Sequence, residues 1–147
     1  PIHPDMLYVI RYEEVELERR AFLKSPKYEM TLFDLIKDVV DGRMRKQNLD
    51  VDWIVKKIEA GLARIHAAGV VHGDLKPTNI FLDRNLTPII GDFGLAVRVD
   101  QPMFRGTPKY ETPNQVNGGK ASFDDDINGG LAGIKRFITE EFNRIAF

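Results

Sequence analysis

The sequence predicts an α+β fold, with strands and helices segregated along the chain. Three observations carry this prediction. Residues 7–24 are rich in β-branched and aromatic side chains. Residues 31–41, 52–68 and the stretch from Leu131 place apolar side chains at helical spacing. Between them, Ile80-Phe81-Leu82 and Pro88-Ile89-Ile90 flank a turn-rich connection and read as a short hairpin.

With 147 residues the chain suits one domain with a core of its own. It has no cysteine, which excludes disulfides and thiolate metal sites and fits an intracellular, cytoplasmic protein. The net charge is −1 and the two signs are interspersed, so nothing draws the chain to nucleic acid or to an anionic membrane. No apolar run approaches the roughly 20 residues a membrane helix needs, and no signal peptide is visible.

In order, Leu7 to Tyr12 reads as a strand. Glu13 to Arg20 reads as a strand end and a solvated turn, and Ala21 to Lys24 as a second, antiparallel strand broken by Ser25-Pro26. Thr31 is the expected N-cap of a helix with apolar residues at 32, 35, 36, 39 and 40, and Gly42 ends it. Asp50 or Asp52 caps the next helix, whose stripe runs Ile54, Ile58, Leu62, Ile65 and which stops at Gly69. Trp53, in its first turn, is expected in the core. Val70-Val71 is a short extended piece. Residues 95–125 show little periodicity and read as a long surface loop, mobile in part. From Leu131, the residues Ile134, Phe137, Ile138, Phe142 and Ile145 share one helical face, and Gly129-Gly130 argues against an earlier start.

The chemistry concentrates in His72-Gly73-Asp74-Leu75-Lys76-Pro77-Thr78-Asn79 and in Asp92-Phe93-Gly94, which begins thirteen residues after Asn79. Two loops joined by a hairpin can face each other and suit a phosphate-and-metal site. Asp74 is the candidate to accept or orient a hydroxyl proton. Lys76 can sit over a transferring phosphoryl group. Asn79 and Asp92 can ligate Mg2+ through oxygen, the donor this hard cation prefers. The histidines form no metal triad. His72 reads as a structural residue near Phe93, His66 as a helix-end residue and His3 as a turn residue.

The ordered series of this loop, the hairpin, Asp92-Phe93-Gly94 and Gly106-Thr107-Pro108-x-Tyr110-x-x-Pro113 resembles the protein kinase family. The resemblance implies a kinase-like fold: mainly the helical C-lobe plus two antiparallel N-lobe strands. Residues 1–147 would form a partial domain, with an N-lobe remnant and hinge over 1–30 and a truncated C-lobe over 31–147. His3-Pro4-Asp5 resembles the turn after the family's helix C. Residues 31–41 and 52–68 resemble helices D and E, and Lys27 to Met30 lies near the adenine-binding hinge. Lys76 and Thr107 are similar to the choices of Ser/Thr kinases, with Thr107 packing beside Asp74. Asp126 or Asp125 would support the loop from the start of helix F.

The implied activity is transfer of the ATP γ-phosphate to a protein Ser or Thr hydroxyl. Asp74 and Lys76 would be catalytic, Asn79 and Asp92 would hold ATP through Mg2+, and the partners would be ATP and a protein substrate. The alternative is a truncated or pseudokinase-like lobe that binds another protein with little or no catalysis. The family's Gly-rich loop, its phosphate-pairing Lys and its helix C Glu fall outside these 147 residues, so the parent protein would be the enzyme and this chain alone inactive. Gly73 replaces the Arg that contacts a phosphorylated activation loop in the family. Asn114 replaces the Glu of Ala-Pro-Glu. Asn128 replaces the Trp of helix F, which Gly129-Gly130 would weaken.

Overall fold

The computed structural model describes residues 13–17, 20–24 and 28–145, with side chains described from Tyr28 onward. The expected strand at 7–12, the His3 turn, the Ser25-Pro26 break and Lys27 lie outside these residues. Strands β1 (Glu13–Leu17) and β2 (Arg20–Lys24) pair antiparallel, with Glu13 opposite Lys24 and Leu17 opposite Arg20. Glu13 to Leu17 is therefore a strand and not a strand end and turn. The two-residue alternation of Val15 and Leu17 with acidic residues is itself a strand pattern.

Strand β3 (Met30–Thr31) leads directly into α1 (Leu32–Val40). Thr31 and Asp34 form the reciprocal cap that starts α1: the Thr31 hydroxyl accepts from the Asp34 amide at 3.2 Å, and the Asp34 carboxylate accepts from the Thr31 amide at 3.0 Å. Leu32, Leu35, Ile36 and Val39 are buried. Gly42, at φ +80°, closes the helix in the left-handed conformation that glycine adopts without strain. Helix α2 (Val51–Ala67) is capped by Asp50, whose carboxylate accepts from the Trp53 amide at 3.0 Å. It buries Ile54, Ile58, Leu62 and Ile65 and ends before Gly69 at φ +77°. Trp53 is not a core residue. It sits one position off the buried stripe, is 38 % exposed, and carries the Lys57 ammonium 5.6 Å from its ring centroid.

After α2, β4 (Val70–Val71) enters the loop at 72–79, which closes with a 3-10 turn over Pro77–Asn79. Strands β5 (Ile80–Leu82) and β6 (Pro88–Ile90) form the expected hairpin, with Ile80 opposite Ile90 and Leu82 opposite Pro88. β3 adds to its other edge through Met30 and Leu82, so the antiparallel order is β3-β5-β6.

The stretch 95–125 is not a featureless loop. It contributes β7 (Val97–Arg98), which pairs antiparallel with β4, and the short helix α3 (Pro113–Val116). Met103 and Ala121 are buried with Val71 in a second small core, against which Val97, Val99 and Phe123 pack. Two-residue pairings leave no periodicity for a sequence to show.

The last helical run begins earlier than its glycines suggest. A π-helical turn spans Asp125–Leu131 and runs into α4 (Ala132–Asn143). A Cβ on Gly130 would lie 2.4 Å from the Leu75 Cβ, and one on Gly129 would lie 2.8 Å from the Tyr110 carbonyl oxygen. Glycine here lets this helix press against the loop at 72–79 and the segment around Tyr110, and close packing outweighs the local propensity cost. Leu131, Ile134 and Ile138 are buried in the main core with the stripes of α1 and α2, while Phe137 and Phe142 pack at its edge. Lys37 on α1 reaches Glu141 on α4 at 2.7 Å, and Arg144 meets the same carboxylate at 3.0 Å. Hydrogen bonding from Lys37, then from Arg144, holds the Glu141 carboxyl below its usual range against the opposing effect of burial. Among the described residues no helix is long and apolar enough to cross a membrane.

Gly130→Ala should lower stability in urea unfolding by about 3 kcal/mol, the upper end of the usual cost of overpacking a tight contact. Gly69→Ala meets open space, so it should lose only the roughly 1 kcal/mol of left-handed backbone strain. Equal losses at the two positions would contradict the close-packing account of Gly130.

Candidate functional site

The loop at 72–79 is held from beneath by one buried carboxylate. Asp126, 1 % exposed, accepts from the His72 amide at 2.8 Å and the Gly73 amide at 2.9 Å, one on each oxygen. His66 Nε2 donates to the same carboxylate at 2.8 Å, and its ring stacks on Phe123 with centroids 4.5 Å apart. Of the two aspartates the sequence offered, Asp126 supports the loop. Asp125 instead gathers the Thr112 hydroxyl, the Asn114 amide at 3.0 Å and the Ser122 amide at 2.9 Å.

His72 is fully buried and structural. The Asp74 amide donates to its Nδ1 at 3.1 Å, so the ring hydrogen sits on Nε2, which donates to the Gly91 carbonyl at 2.8 Å. The ring also lies 4.9 Å from Phe93. The amide of Gly91 donates to the Asn79 carbonyl at 3.0 Å. Residues on both sides of Asp92 therefore contact the first loop. Gly73 adopts φ +83°, with the Leu95 carbonyl oxygen 2.9 Å from where a Cβ would stand.

Asp74, Lys76 and Asn79 come together as the sequence predicts, joined by Thr107. The Thr107 hydroxyl donates to Asp74 Oδ1 at 2.9 Å and accepts from the Lys76 ammonium at 2.7 Å. Lys76 Nζ also stands 3.7 Å from Asp74 Oδ2. Asn79, 5 % exposed, donates from Nδ2 to the Asp74 carbonyl at 2.8 Å and lies 3.4 Å from Oδ2. That orientation commits the amide nitrogen to the loop and leaves Oδ1 as the group's oxygen donor. Asp92 is exposed, sits at φ +55°, and accepts from the Gly94 amide at 3.2 Å on Oδ1. One amide oxygen and one carboxylate are a donor set that fits Mg2+, which takes few protein oxygens and fills its shell with phosphate and water. Among the described residues no group of three or more His, Cys, Asp or Glu could hold a metal.

Two features of the site carry no signal in the sequence. Arg105 donates to Glu111 through Nε at 2.8 Å and Nη2 at 3.0 Å, and the Gly106 amide donates to the same carboxylate at 2.8 Å. Hydrogen bonding from Arg105 is the main reason that the Glu111 carboxyl lies below its usual range, although burial opposes it. Burial in turn raises the neighbouring Tyr110 phenol. The second feature is Gln115, 1 % exposed, which donates to the Gly73 carbonyl at 2.6 Å and the Phe104 carbonyl at 3.0 Å.

Comparison with known proteins shows a shared family. A family model described as the protein kinase domain matches residues 7–129. The eIF-2-alpha kinase GCN2 of Schizosaccharomyces pombe is 34 % identical over 134 residues, covering 90 % of this chain and 8 % of that protein. The serine/threonine-protein kinase PkaA of Streptomyces coelicolor is 34 % identical over 124 residues, covering 72 % of this chain and 22 % of that protein. The inactive serine/threonine-protein kinase PLK5 of Mus musculus is 36 % identical over 83 residues, covering 53 % of this chain and 14 % of that protein. The chain thus spans less than a quarter of the length of each of these relatives.

The depressed Glu111 carboxyl makes a pH prediction. Its stabilisation is complete above the ordinary glutamate value of about 4.3 and is lost as pH falls through the lowered folded value. Glu111→Gln should therefore lower stability at neutral pH, and the gap from the native chain should shrink on acidification below about pH 4. Thermal unfolding across that range checks it, and a gap independent of pH would refute it.

Proposed function

This chain belongs to the protein kinase family, and on that premise we propose that its site transfers the γ-phosphate of ATP to Ser or Thr hydroxyls of a protein. The observation that carries this reading is the hydrogen-bonded series from Lys76 through Thr107 to Asp74. Thr107 occupies Asp74 Oδ1, and Asn79 fixes the loop backbone beside it. Asp74 Oδ2 has only the longer contacts to Lys76 and Asn79, so it is the oxygen that receives a substrate hydroxyl. Lys76, at the mouth of the same arrangement, offsets the negative charge of the phosphoryl group as it moves. Asn79 Oδ1 and Asp92 would hold Mg2+, and the bound ion would neutralise phosphate charge. The protein's part is positioning and charge balance, which suffices for phosphoryl transfer. The names of GCN2 and PkaA support a protein substrate.

A second reading, a protein-interaction module with little or no catalysis, is favoured by Phe104 and Val116. They are 60 % and 44 % exposed on the segment next to the site, where a partner would cover them.

A radiolabelled γ-phosphate transfer assay on a mixed Ser/Thr peptide substrate, run on a protein that joins this chain to the family's Gly-rich loop, phosphate-pairing Lys and helix C Glu, separates the two readings. Turnover should be detectable and should fall by about 10²–10⁴-fold in Asp74→Ala, the range for losing a positioned acid–base group. Thr107→Ser should retain activity, whereas Thr107→Val, which removes both hydrogen bonds of the hydroxyl, should cost tenfold or more, at ~1–1.5 kcal/mol for each bond. Absence of transfer, or transfer untouched by Asp74→Ala, would sink the enzymatic reading and leave the module.

A further inference from the structure

Gln115 is the one buried neutral amide in the described residues that ties the segment after β7 to the loop at 72–79. It sits in α3, started by Thr112, whose hydroxyl accepts from the Gln115 amide at 3.2 Å. Its Nε2 carries two hydrogens, and each has an acceptor: the Gly73 carbonyl, 42 residues away in the chain, and the Phe104 carbonyl. Gly73 immediately precedes Asp74. Phe104 lies three residues before Thr107, whose hydroxyl touches both Asp74 and Lys76. The strands of chain bearing the two halves of the site are therefore pinned to one nitrogen.

The packing around that nitrogen allows little slack. A Cβ on Gly106 would lie 2.8 Å from Gln115 Nε2 and 2.9 Å from the Gly73 carbonyl oxygen. Gly73 is held on its other side as well, through its amide to Asp126. The Arg105–Glu111 fork and the Gly106 amide close the same turn from outside. Moving Gln115 would shift Thr107 relative to Asp74 without touching either directly.

We infer that Gln115 is a positioning residue for phosphoryl transfer, its two amide hydrogens setting the distance between the Thr107 segment and the Asp74 loop. The inference rests on the phosphotransferase reading above for its kinetic consequence, and on the geometry alone for its structural one. No covalent step involves Gln115. A carboxamide is required because both acceptors are carbonyl oxygens: a carboxylate would face them with no donor, and a protonated carboxyl has one hydrogen for two acceptors.

The test places Gln115→Glu and Gln115→Leu in the protein that also carries the Gly-rich loop, the phosphate-pairing Lys and the helix C Glu. In Gln115→Glu, kcat should fall tenfold or more at pH 8 while KM for ATP and peptide stays within twofold. The deficit should narrow as pH is lowered toward 6, because a buried carboxyl regains its proton and one of the two bonds. Unchanged exchange in α1 and α2 of Gln115→Glu at pH 8 separates that dependence from a pH-dependent loss of folding. In Gln115→Leu, hydrogen–deuterium exchange of amides 73–76 should speed up tenfold or more, with exchange in α1 and α2 unchanged. The inference is overturned by a Gln115→Glu profile parallel to that of the native chain. It is also overturned by unchanged exchange at 73–76, or by exchange in α2 rising in step with it. If the unsubstituted form of that longer protein transfers no phosphate, the functional reading fails, and the exchange experiment still decides whether Gln115 sets this spacing.

Discussion

The buried carboxylate of Asp126 is the contact on which the rest of the site depends. Two consecutive backbone amides, of His72 and Gly73, and one imidazole converge on it. Buried amides without acceptors cost about 1–3 kcal/mol each, so the loop cannot leave this anchor cheaply. Once the His72 and Gly73 amides are fixed, the direction in which Asp74 leaves the loop is fixed too. The helical turn that delivers Asp126 must come close, and Gly129 and Gly130, just beyond it, are what permit the approach. The anchor and the glycines form one device: an acceptor at the start of a helix and a smooth surface behind it.

A second layer holds the segment that carries Thr107. Its bonds run to backbone groups and to side chains of the same stretch. Glu111 binds Arg105 and Gly106, Gln115 binds Gly73 and Phe104, and Asp125 binds Thr112, Asn114 and Ser122. The two departures from the family at Gly73 and Asn114 sit within this layer. Gly73 offers its carbonyl to Gln115, and Asn114 joins the Asp125 cluster and the Lys120 carbonyl. Each substituted residue has a local partner in this fold.

What the sequence made legible was local. Thr31, and the pair Asp50 and Asp52, announce their helices because a cap acts on amides two and three residues away. The stripes of α1 and α2 follow from period, and the 80–90 hairpin from two apolar runs around a turn. Asp74, Lys76 and Asn79 meet because one loop carries all three, and the resemblance to the kinase family implies Thr107 beside Asp74. What stayed hidden was non-local. Gly129 and Gly130 count as helix weakeners until Leu75 and Tyr110 are known to lie against them. Gln115 could not be singled out, since its acceptors are backbone carbonyls that every residue possesses. Residues 95–125 looked irregular because their order comes from two-residue pairings and isolated buried groups. Trp53 shows the converse error: an aromatic ring beside an apolar stripe was assigned to it, and the helix turned the ring outward.

The Lys76–Thr107–Asp74 series also has a polarity. Every hydrogen in it points the same way, from ammonium to hydroxyl to carboxylate. An ammonium has no lone pair with which to accept a hydrogen. On the proposed phosphotransfer reading, a proton arriving at Asp74 would have no outlet along this series, because its far end is already saturated. It must depart through the side by which it came, carried off by water or with the product. The arrangement is a dead end for protons, and on that reading each cycle would be reset from outside the series and not from within it.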